Sequence, residues 1–193
     1  LAPSKGALDR SLMPQGSAAR PFSPPVPRRE QLPNGLNVLY VEKPGLPMVA
    51  LCLLVQTGAL ADPSHQPGLA HMAMTMLPEG TSNRSRQQLA EEMEFLGSSL
   101  HADIGYEHAL LTTEALTSHW KEALAIMADV VKNPIFPPDE LERVRKERLT
   151  DLRRVADDPA RIAHRASRAL IYGPNTGYGH PVNGTERAIE SMS

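Results

Sequence analysis

The stretch from Gly68 to Thr81 restricts the possible folds more than any other part of the chain. Leu69, Ala70, Met72, Ala73, Met74, Met76 and Leu77 fall on nearly every side of a helix, so other elements must cover it on more than one flank. One stripe stands apart. His71, Met74 and Thr75 are spaced i, i+3 and i+4 and share a face. A helix of this kind belongs inside a layered domain, and the rest of the chain has to supply the layers.

The remaining pattern predicts them. Pro33-Asn-Gly is a turn signal, after which Leu36 to Glu42 reads as a strand. Met48 to Thr57 reads as a second strand, apolar enough to be buried on both faces, and the short Lys43-to-Pro47 loop suggests a hairpin between the two. A second helix opens at Ser85 with a capping box to Gln88, carries Leu89, Met93 and Leu96 on its apolar face, and stops at Gly97. Ser98 to Ile104 and His108 to Ala115 read as strands around a Gly105-Tyr106-Glu107 turn. Thr117 or Ser118 is expected to cap a third helix with Trp120, Leu124, Met127 and Val131 on its inner face, ended by Asn133-Pro134. A charged helix follows from Pro137-Pro138-Asp139 to about Ala156, anchored by Leu141, Val144 and Leu152. Asp158 and Pro159 serve as N-cap and first residue of the next helix, which Gly173 closes, and Thr185 caps a last short one. Strands, helices, strands and helices in that order define an α+β fold, a largely antiparallel sheet packed by helices.

Composition narrows the function. The formal charge is −2 and aromatic residues are 4% of the chain, which argues against a nucleic-acid partner. No apolar run is long enough for a membrane-spanning helix, so membrane insertion is not expected. The single cysteine, Cys52, sits in an apolar strand and reads as a buried packing residue; it leaves the redox compartment open. Residues 1–30 are rich in Pro, Ser, Gly and Ala and read as a disordered linker or tail, with residues 31–193 as the folded module. Leu1 to Arg20 lacks the apolar segment of a secretory leader, and the missing initiator Met and the ending at Ser193 suggest a piece of a longer chain.

Several segments together resemble the M16 (pitrilysin-like, processing-peptidase-like) metallopeptidases. They are Leu32-Pro-Asn-Gly-Leu-Asn-Val-Leu-Tyr-Val-Glu, Leu51 to Gly58, Pro67-Gly-Leu-Ala-His, Glu79-Gly-Thr, Gly97, and the charged run Leu141 to Pro159. The resemblance implies an α/β roll, of which this chain supplies one incomplete module. It also implies a His-x-x-Glu-His zinc motif on the first helix and a glutamate ligand on the charged helix. Here those positions are His71, Met74, Thr75 and Asp151. Two imidazoles one helical turn apart can chelate one zinc, and the glutamate between them can take a proton from the metal-bound water. Met74 has no proton to exchange and offers only a thioether; Thr75 offers a hydroxyl in place of imidazole; Asp151 is one methylene short. No catalytic residue and no bound cofactor are therefore expected, with His71 and Asp151 as the residual metal candidates. His101 and Asp103 share one face of their strand and are the one other pair placed to join His71, with His108 nearby.

Two functions follow as expectations. In the first, the chain is a non-catalytic family member that pairs with an active M16 subunit or fused module and helps enclose a peptide. The resemblance places an extended peptide along the strand Ser98, Ser99, Leu100, His101, Ala102 and Asp103, held by backbone hydrogen bonds. A purely structural family member differs from this only in its partner. In the second, the chain is an active zinc metalloendopeptidase with an unorthodox site. Met74 and Thr75 favour the first.

Overall fold

A computed structural model describes residues 23–174 and 176–192; most of the Pro-rich tail, residues 1–22, lies outside the described residues. The chain divides into two units between Leu46 and Pro47. The first is an antiparallel ribbon of β1 (Arg28–Gln31) and β2 (Asn37–Tyr40), with Arg28 opposite Tyr40 and Gln31 opposite Asn37. Its turn follows the Pro33-Asn34-Gly35 signal: Gly35 takes φ 87° and Leu36 N–H donates to Asn34 Oδ1 at 3.1 Å. β1 occupies residues that the sequence reading gives largely to the tail.

The second unit is built on a three-stranded antiparallel sheet. It contains β3 (Met48–Val55), β4 (Leu100–Ile104) and β5 (Ala109–Leu116), in the order β3-β5-β4. The expected β2–β3 hairpin does not form: β2 takes β1 as its partner and β3 takes β5. The β4–β5 hairpin forms as expected, with Leu100 opposite Thr113 and Ile104 opposite Ala109. β3 is not buried on both faces. Leu51 and Leu53 turn into the core, whereas Met48, Cys52 and Leu54 are exposed on the opposite face, so Cys52 is not a buried packing residue.

Among the described residues six α-helices complete the unit: α1 (Leu69–Met76), α2 (Arg86–Phe95), α3 (Trp120–Lys132), α4 (Pro138–Ala156), α5 (Pro159–Tyr172) and α6 (Glu186–Ser191). The capping box of α2 is present, Ser85 Oγ accepting from Gln88 N–H and Gln88 Oε1 from Ser85 N–H. Asp158 caps α5 through Ala160 N–H and Arg161 N–H. The first turn of α3 differs from expectation. His119, not Thr117 or Ser118, is its N-cap and makes no side-chain cap bond. The buried face of α3 is Ala123, Ile126, Met127 and Val130, while Leu124 and Val131 are exposed. The small Ala123, fully buried, lets α3 lie close on the sheet, and this rotates the inner face away from Leu124.

Two apolar clusters make the core, and α1 lies between them. Leu89, Met93, Leu111, Ala115, Ile126 and Val130 form the first, with Met74 and Leu77 of the α1 segment packed against it. Met72 and Met76 of α1 join Val144, Leu152, Ile189 and Met192 in the second. This double role explains the near-continuous apolar text of α1, although Leu69 and Ala73 remain exposed.

Candidate functional site: the facing sides of α1 and α4

α1 is fixed at both ends. Asp62 accepts hydrogen bonds from Gly68 N–H and Ala70 N–H, both at 2.7 Å, so a carboxylate sits at the positive end of the helix. Gly68 has φ 94°, and a Cβ there would stand 2.6 Å from the Gly184 Cα, so only glycine fits this entry. Beyond the last turn, Glu79 pairs with Arg86 of α2 at 2.8 Å and with Arg143 of α4. α1 and α4 are thus held side by side.

His71 is half-buried on the flank of α1 that meets α4. Thr75 Oγ1 donates to the His71 carbonyl at 2.9 Å and stands 3.2 Å from His71 Nδ1. With its own proton committed, the hydroxyl accepts from Nδ1–H, which leaves the lone pair on Nε2. Arg148 Nη2 lies 2.9 Å from Nε2 and 3.2 Å from Nδ1. An atom that close to both nitrogens of one ring stands over the ring face, so one end of the guanidinium packs against the imidazole. Burial, and next the Arg148 charge, lower the His71 pKa from 6.5 to about 4, against opposing pulls from its backbone hydrogen bond, Asp103 and Asp151. At neutral pH the imidazole is uncharged and a weak base.

The other candidates sit apart. Met74 packs into the first apolar cluster. Asp151 lies near enough to act on His71 by its charge, but its ion pair is with Arg154 at 3.6 Å, and its side chain is 55% exposed. His101 Nε2 is 2.8 Å from Ser99 Oγ, and Asp103 is exposed on β4. Among the described residues no three His, Cys, Asp or Glu side chains come together as a group that can hold a metal. The side chains between α1 and α4 do not fit zinc. They offer one imidazole, a hydroxyl already committed to the backbone, and a guanidinium directly against the imidazole. No hydrolytic step can be derived from this set.

An arginine on a helix as charged as α4 is expected to face water; the structure turns Arg148 inward onto His71. Its signal was available only in part: Arg148, Leu141, Val144 and Leu152 lie close to one helical stripe, so a charge falls beside the anchors. Asp62, in the loop before α1, was also missed; an acidic residue ahead of a helix start is its only sequence mark.

The six strand residues expected to bind peptide are placed together. Ser98 Oγ contacts Thr113 Oγ1 at 2.7 Å and donates to the Glu114 carbonyl, tying the start of β4 to β5. From Leu100 to Asp103 the strand pairs with β5 on one side, and no other described strand pairs with its second edge.

Sheet order and helix packing define an α+β module, an antiparallel sheet packed by helices, and among the described residues no metal-ligand set comes together on it. The sequence model of the insulinase-type peptidase family M16 matches residues 37–180, and the chain belongs to this family. It is 28% identical over 163 residues to an uncharacterized zinc protease of Rickettsia bellii, covering 84% of this chain and 39% of that protein. Its fold matches the crystal structure of an M16 peptidase inactive domain from Pseudomonas fluorescens, with TM-score 0.81, 26% identity, and 87% of this chain on 41% of that one. It also matches pitrilysin, with TM-score 0.74 and 22% identity, over 86% of this chain and 18% of that one. The chain thus spans about two fifths or less of the proteins it matches. Among the described residues no helix is long and apolar enough to cross a membrane.

Proposed function

We propose that this chain is a non-catalytic M16 module that lies beside an active zinc-peptidase module and helps enclose and hold an extended peptide. The observation that carries this reading is the Arg148 guanidinium on His71, 2.9 Å from Nε2 and beside the position that a metal ion on that nitrogen would take. A fixed positive charge there repels a divalent cation, and neither Met74 nor Thr75 can replace the missing ligand and base.

Two further features support the binding half of the reading. The second edge of β4 presents backbone donors and acceptors over Leu100 to Asp103, the type of surface to which an extended peptide adds as a strand with little demand on its sequence. Ser98 and Ser99 flank the entrance of that edge. The outer face of the sheet also carries apolar side chains along β3 and β5: Met48 lies opposite Leu116 and Leu54 opposite Leu110, and Met48, Leu54 and Leu116 are each about half exposed. Exposed apolar surface of this kind favours coverage by a second module. The likeness to an inactive domain and to zinc proteases fits a division of labour between a degenerate module and an active one.

The test is to incubate the chain with zinc and a fluorescent unstructured peptide. Anisotropy should report binding while mass spectrometry finds the peptide intact. Cleavage by the purified chain alone refutes the non-catalytic reading, and an absence of binding refutes the peptide-holding part.

A further inference from the structure

A guanidinium drawn halfway out of water is costly unless an acceptor neutralises it. Arg145, one turn earlier on α4, shows the usual remedy: one terminal nitrogen pairs with Glu142 and the other donates to the Met192 carbonyl. Arg148 has neither kind of partner. Its Nη2 rests on the neutral His71 ring, its Nε is buried without a hydrogen bond, as that of Arg145 also is, and Asp151 acts on it only through its charge, its own ion pair being with Arg154.

Arg148 also lines a cavity of about 430 Å³ together with Asp151, Arg154, Asp158, Arg161 and Asn183. Both carboxylates in that lining are engaged. Asp151 pairs with Arg154 at 3.6 Å, and Asp158 pairs with Arg161 at 3.3 Å while also capping α5. Three guanidinium groups against two carboxylates leave one positive charge in the lining, and Arg148 is the one of the three outside the two ion pairs. The cavity is therefore short of one acceptor, and Arg148 Nη1, which is neither hydrogen-bonded nor fully buried, is the nitrogen left to make a charge-assisted bond to a carboxylate.

We infer that this cavity is a binding site for a single carboxylate, held by Arg148 with Asn183 as a neutral neighbour. The carboxylate is that of a small free acid or of a peptide C-terminus. Doubly charged oxyanions are disfavoured, because only one positive charge is uncompensated and Asp151 and Asp158 stand close by. The inference goes beyond the proposed function, since it requires neither a peptide on β4 nor a partner module.

The test uses the whole chain labelled with ¹⁵N and follows the Arg148 Nε–H signal, assigned by its loss in Arg148→Gln. Sodium acetate, sodium sulfate, tetra-alanine with a free C-terminus, and the same peptide amidated are titrated separately. Acetate or the free-acid peptide should shift the signal saturably, with sulfate weaker. By calorimetry Arg148→Gln should bind about tenfold more weakly or worse, as expected for loss of a charge-assisted pair. Preference for the free-acid peptide over acetate identifies the C-terminus as the source; equal response identifies a small acid. Arg148→Lys, which keeps the charge without the guanidinium and serves if the Gln variant does not fold, should fall between the two. The inference is overturned if no carboxylate gives a saturable shift, if sulfate binds more tightly than acetate, if the amidated peptide matches the free acid, or if the folded variants bind as well as the parent.

Discussion

Restoring the side chains Met74→Glu and Thr75→His puts a second imidazole one turn after His71, yet the structure predicts that this change alone gives poor zinc binding. Arg148 Nη2 already stands 2.9 Å from His71 Nε2, next to the position a metal on that nitrogen must take. A unit charge about 4 Å from a divalent ion costs roughly 8 kcal/mol at an effective dielectric of about 20. Screening at this half-buried position reduces that to about 4 kcal/mol, or about a thousandfold in Kd. The decisive variant is therefore Met74→Glu, Thr75→His and Arg148→Ala together. Competition against a fluorescent zinc chelator should find it about a thousandfold tighter than the variant that keeps Arg148. Removing Thr75 also frees the His71 ring from the hydroxyl on Nδ1, so the variant needs a new acceptor for that N–H to orient the imidazole. Peptidase activity should stay low in both, because the restored ligands by themselves supply no oriented donor for a tetrahedral intermediate. Equal zinc affinity with and without Arg148 refutes the argument that its charge excludes the metal.

Two further expectations concern stability. Asp129, 7% exposed, accepts from Asn133 Nδ2 at 2.7 Å, Asn83 Nδ2 at 2.6 Å, Thr81 Oγ1 at 2.8 Å and Arg84 Nη1 at 2.7 Å, which hold its carboxyl well below the usual carboxylate range. Asp129→Ala should cost about 3 to 5 kcal/mol in urea unfolding at neutral pH, and a cost under about 1 kcal/mol contradicts the hub role. For His71 the folded pKa of about 4 lies below the unfolded 6.5, so between those values the unfolded chain binds more protons and stability falls as the pH drops. Its contribution should fade by about 2 to 3 kcal/mol from pH 7 to pH 4, and His71→Gln should flatten that part of the stability profile.

Much of the fold could be read from local chemistry. The Ser85–Gln88 box, the Asp158-Pro159 start, the tight turn before β5 and the Val144 and Leu152 anchors all lie where short-range rules put them, because each depends on neighbours within one helical turn or one hairpin. What failed depended on distant partners. A loop as short as Lys43 to Pro47 suggests a hairpin, but β3 finds its partner some sixty residues later in β5, and nothing local marks that pairing. Cys52 sat in a run too uniformly apolar to show which face turns outward. On α3, the bulk of Leu124 drew the inner face toward itself, whereas the packing follows the small Ala123. At the site, the loss of the metal motif was legible at Met74 and Thr75. Arg148 was not, because a charged residue on a charged helix is expected in water until a neighbour such as His71 is seen to cover it.

The most direct test of the central reading is amide hydrogen exchange on the zinc-supplemented chain, with and without an extended peptide, with the peptide's mass followed in parallel. The free edge of β4 predicts slowed exchange confined to amides within Leu100 to Ile104 that face away from β5, while the peptide remains uncut. Protection elsewhere with β4 unchanged, or loss of the intact peptide, contradicts the account of a peptide-holding module without a hydrolytic metal.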